Sequence, residues 1–188
     1  MESERIERQY QDSQELYNYL LSKGEVSFAT YIDSVYKKVL VLSAASYFES
    51  KVSELISKYA TKVSGSDKRI VNLIESKVIE RQYHTLFDWK ANNTNAFWKL
   101  FGEATKDSVR QRINSDDTLK TAEQSFIELG RQRNLLVHEN FAEFDALKAD
   151  TNLKAAITHS TSHGESVKAR LCLARRYLYG IALPDGEE

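Results

Sequence analysis

The chain has 188 residues, 26 Lys and Arg against 27 Asp and Glu, a formal net charge of −1, and 41% hydrophobic residues. Those are the dimensions of one ordinary globular domain, and the balanced charge excludes a protein whose overall field announces nucleic acid. Seven Gly and one Pro are too few turn formers for a β-sandwich or barrel, so an all-α fold is expected, as one helical domain over residues 1–188 with a short acidic tail at 184–188.

No apolar run approaches the ~18 residues of a bilayer span. The start, Met-Glu-Ser-Glu-Arg-Ile-Glu-Arg, has no hydrophobic signal core, which favours a cytoplasmic protein without a membrane partner. Cys172 stands alone, so an intrachain disulfide and a multi-cysteine metal site are excluded.

In chain order, Ile6, Tyr10, Leu16, Tyr17, Leu20 and Leu21 follow a loose 3.6-residue period and predict a first helix over 4–22. Gly24 punctuates. From Val26 to about Lys62 there is neither Gly nor Pro, which predicts one helix about 50 Å long. Ser64-Gly65-Ser66-Asp67 is a turn ending in an N-cap residue, after which Ile70, Val71, Ile74, Val78, Ile79 and Leu86 extend a third helix. Asn92-Asn93-Thr94-Asn95 breaks it, and the aromatic segment Phe97-Trp98-Lys99-Leu100-Phe101-Gly102 follows, then a basic amphipathic piece with Val109, Arg110, Arg112 and Ile113. Asn114-Ser115-Asp116-Asp117 is a second turn and cap before a helix over roughly 118–140, and a final helix is predicted over about 164–181. No repeat interrupts this order, so a helical bundle built around the long second helix accounts for the chain.

Two charged residues fall on apolar stripes. With Phe126 at zero and about 100° per residue, Ala122, Leu129, Leu136 and Val137 lie within about 80° of it, and Arg133 falls at about −20°. On the long helix the series Val35, Leu42, Glu49, Ile56 is apolar except at Glu49. A charge facing a core must be paired or open onto a cavity, so Glu49 and Arg133 are expected to meet or to line one polar cavity. A structural ion pair and a catalytic site stand equally on this geometry. His138, at about 120° beside Asn134 at about 80°, is on the flank and within reach of solvent. His159 and His163 are read as solvent-facing, with zinc as the alternative.

Arg133-Asn134, followed by His138, on a helix preceded by a long helix bearing Ser46-Tyr47-Phe48-Glu49, with Phe97-Trp98-Lys99-Leu100-Phe101-Gly102 between them, resembles the HEPN superfamily, in its RiboL-PSP branch or a sister branch. The resemblance implies a metal-independent, cofactor-free endoribonuclease of toxin or phage-defence type, in which the ribose 2′-hydroxyl attacks the adjacent phosphate. Its catalytic residues would be Arg133, Asn134, His138 and Glu49. An imidazole exchanges protons near neutral pH, a guanidinium clamps phosphate oxygens, and Asn134 has both donor and acceptor capacity to orient the phosphate, the histidine or the hydroxyl. Glu49 would orient Arg133. Arg131 lies about 20° from His138 on the wheel, so the choice between Arg131 and Arg133 stays open.

Arg133 and His138 diverge by about 140° on an ideal helix. The family's habit of pairing protomers therefore implies a homodimer with a composite cleft, its contact made by the motif helix and the Trp98 segment. Arg131, Arg110, Arg112, Lys168, Arg170, Arg175 and Arg176 would track the RNA backbone. An antitoxin or defence-system protein is the implied partner. The alternative is a non-catalytic HEPN-like module that binds RNA, a nucleotide or a protein.

The expected pairing of Glu49 with Arg133 is testable on stability alone. Glu49→Ala and Arg133→Ala should each destabilise, by ~3–5 kcal/mol for a buried pair and less for a wet one, and the double variant should lose less than their sum. Denaturation midpoints that add show that the two do not interact.

Overall fold

The computed structural model describes residues 2–80 and 83–138. Six α-helices are present among them: α1 (Glu2–Ser22), α2 (Val26–Val63), α3 (Lys68–Ile74), α4 (Asn95–Lys99), α5 (Glu103–Asn114) and α6 (Asp117–His138). A π-helical turn over Glu75–Ile79 continues α3, a 3-10 turn covers Tyr83–Thr85, and no strand occurs among the described residues. The all-α class and the long second helix are as expected, α2 being about 57 Å long. The final helix expected over 164–181 and the mixed stretch before it lie outside the described residues.

Local signals account for the boundaries. Gly24 and Gly65 take positive φ, which lets the chain leave α1 and α2 without a Cβ penalty. The Asp67 carboxylate accepts from the Arg69 backbone N–H at 2.9 Å, and Asp116 accepts from the N–H groups of Thr118 at 2.8 Å and Leu119 at 3.2 Å. Each satisfies first-turn donors that a helix cannot satisfy itself. The third helix departs from the expectation. It widens at Glu75, where Glu80 donates to the Glu75 carbonyl at 2.8 Å and the Ser57 hydroxyl donates to the Glu75 carboxylate at 2.7 Å. The helix stops at Ile79, and Leu86 is buried beyond it. Apolar periodicity carries no sign of an i to i+5 bond.

The described residues belong to two compact units, the division falling after Tyr47 within α2 and after Glu128 within α6. In the first unit, Ile6 of α1, Leu40 and Ala44 of α2, and Leu129 and Leu136 of α6 are buried. In the second, the core is aromatic. Phe87 stacks on Phe97 with centroids 4.7 Å apart and meets Phe126 edge-on at 5.1 Å, while Phe126 meets Phe48 at 5.8 Å. Offset or edge contacts of this kind add about 0.5–1.5 kcal/mol each to area burial. Phe97 and Trp98 are only 7% and 5% exposed. Phe97 and Trp98 are thus core of this unit, and these two rings are already covered, whereas Leu100 of the same segment is 61% exposed.

The second unit also buries a carboxylate. Glu123 of α6 is 2% exposed, and its Oε1 accepts from the Thr94 backbone N–H at 2.8 Å, the Thr94 hydroxyl at 2.7 Å and Arg110 Nη2 at 2.6 Å. Oε2 accepts from Arg110 Nη1 at 3.0 Å. Arg110 Nε donates to Asn95 Oδ1 at 3.0 Å, and Trp98 Nε1 donates to the Thr94 hydroxyl at 3.0 Å. Both oxygens of the carboxylate thus accept hydrogen bonds, three on Oε1 and one on Oε2.

Removing the Glu123 carboxylate leaves Arg110 and Thr94 without their acceptor. Glu123→Ala should therefore lose about 3–5 kcal/mol of stability, whereas Arg112→Ala, exposed on the same helix as Arg110, should stay within about 0.5 kcal/mol. Urea unfolding of both decides it, and equal midpoints would show that the network carries no stability.

Candidate functional site

The C-terminal turns of α6 carry Arg133, Asn134 and His138. Within the first unit the buried side chains of this helix are Leu129, Gln132 and Leu136, at about −60°, −120° and −80° from Phe126 on the wheel. Arg133, at about −20°, is therefore at the edge of the buried arc and not in its middle. It is half-buried. Val137, expected on the apolar stripe, is 52% exposed. The buried arc of the last turns is centred on the Leu129, Gln132 and Leu136 side and not on the direction of Phe126.

Asn134 is half-buried and His138 is exposed, as the flank position implied. Arg133 Nη1 donates to Asn134 Oδ1 at 3.2 Å. Adjacent residues on a helix point about 100° apart, so this bond bends the long arginine side chain round the helix toward Asn134. The direction of Asn134 is in turn only about 40° from that of His138. Arg131, the other arginine considered, is half-buried and already engaged in an interaction of its own.

Glu49 belongs to the second unit and is half-buried beside the buried Phe48. Val35 and Leu42 of its seven-residue series are half-buried too, while Phe48, Val52 and Ile56 are the buried positions nearby. Glu49 thus flanks a core stripe and does not point into its centre. Of the expected backbone-tracking cations, Arg112 is exposed, and Arg110 spends three N–H donors on Glu123 and Asn95. Lys168, Arg170, Arg175, Arg176, His159 and His163 lie outside the described residues.

Four buried polar side chains carried no flag in the sequence: Ser13 of α1, Lys38 of α2, and Glu123 and Gln132 of α6. Glu123 is about 60° from Phe126 on the wheel, so its burial was readable there. Gln132, off the stripe, was not. Lys38 and Gln132 both have partners.

The carboxylates displaced from their ordinary range mark no site. Glu54 is held down to about 2 by hydrogen bonds and charge from Lys58 and Lys51, and Glu103 to about 2 by Lys106 and Lys99. Both are exposed helix-surface ion pairs, of little energetic weight. Among the described residues no group of three or more His, Cys, Asp or Glu side chains is placed to hold a metal ion, and no helix is long and apolar enough to cross a membrane.

Comparison with protein families matches residues 8–162 to the model of RiboL-PSP-HEPN domains. No curated protein and no solved structure matches the chain.

The burial pattern separates chemistry from packing at the motif. His138→Ala should shift the unfolding free energy by less than about 0.5 kcal/mol, while Leu136→Ala, two residues away and buried, should cost about 2–5 kcal/mol. Thermal melts of the two variants read this, and a His138→Ala loss as large as that of Leu136→Ala would place the imidazole in a core.

Proposed function

The chain belongs to the RiboL-PSP-HEPN family, and from that premise we propose that it is a metal-independent endoribonuclease working through Arg133, Asn134 and His138. The observation that carries the reading is the accessible end of α6, where a half-buried arginine is hydrogen-bonded to the adjacent asparagine and an exposed histidine lies one turn further on.

In the proposed reaction the 2′-oxygen of one ribose forms a bond to the adjacent phosphorus as the bond from phosphorus to the 5′-oxygen breaks. The 2′-hydroxyl loses a proton and the leaving 5′-oxygen gains one. The products are a 2′,3′-cyclic phosphate and a 5′-hydroxyl, with no water consumed. His138 exchanges protons with one of these oxygens. Arg133 donates to the non-bridging oxygens and stabilises the charge that grows on them. Glu49, read from the sequence as the orienting partner of Arg133, keeps that role within the proposal. A homodimer is the proposed assembly, supported by the exposed Leu135 and Val137 next to the motif residues and by the habit of HEPN domains. A toxin or defence role, with a matching antitoxin or partner protein, completes the proposal.

Purified protein incubated with RNA in EDTA tests it. Cleavage should persist and leave 2′,3′-cyclic phosphate ends, and His138→Ala should abolish it. EDTA-sensitive cutting or 5′-phosphate products would point to metal-assisted hydrolysis. Retained RNA binding with no cleavage would leave a non-catalytic binding module.

A further inference from the structure

We draw no further inference here: the strongest candidate, the exposed apolar side chains Tyr19, Leu21, Val26, Phe28 and Tyr31 on either side of the Gly24 turn between α1 and α2, carries none because nothing in the structure shows what covers them.

Discussion

A carboxylate removed from water is tolerable only if its charge is paired and its oxygens are hydrogen-bonded, and Glu123 is answered by groups from two other segments. Thr94 precedes α4, Arg110 lies on α5, and Glu123 itself is on α6. The desolvation cost of such a pair often exceeds what it returns over an apolar substitute. What it supplies is a unique arrangement, because any slip of α4 or α5 along α6 breaks bonds in a water-poor place. Trp98 shares in this. Its indole N–H is satisfied by the Thr94 hydroxyl, which allows the ring to be buried next to Phe97 and Phe101 with no polar atom stranded. The aromatic core of the second unit and its polar network are therefore one design.

α6 is a continuous helix of 22 residues, and Arg133 follows Glu123 by ten positions, about 15 Å along the axis. Packing and chemistry are segregated along one element: the buried charge sits where the helix is enclosed by aromatic rings, and the motif sits where the side chains at 135, 137 and 138 are open to solvent.

Much of this was legible in the sequence because the signals were local. The uninterrupted run after Val26, the turns at Gly24 and Gly65, and the caps at Asp67 and Asp116 each depend on a few adjacent residues, and they fall where the pattern puts them. The flank position of His138 was equally local, a matter of one wheel. What failed depended on neighbours distant in sequence. The π turn at Glu75 is accompanied by a hydroxyl 18 residues earlier. Arg110 reads as one more surface cation until Glu123, 13 residues on, is found against it. The placing of Arg133 failed for a subtler reason. A single wheel assumes one buried direction for a whole helix, and a helix enclosed by different partners along its length does not keep one.

The position of Arg133 at the edge of a buried arc is the more useful one for the proposed chemistry. A guanidinium in a closed core would be consumed by the partners that make its burial tolerable. A fully exposed one would sample many rotamers, at about 2 kcal/mol of entropy to be lost on each binding event. Half-burial with one hydrogen bond to a neutral neighbour lies between these limits: the stem is confined, one N–H is committed, and the charge remains for a phosphate. Electrostatic stabilisation is largest when the donor is oriented before charge develops. Proton exchange asks the opposite of His138, which must reach both solvent and substrate oxygen, and its exposure provides that. Along this one helix the proposal thus has a cation held by one hydrogen bond to its neighbour and, one turn later, an exposed imidazole.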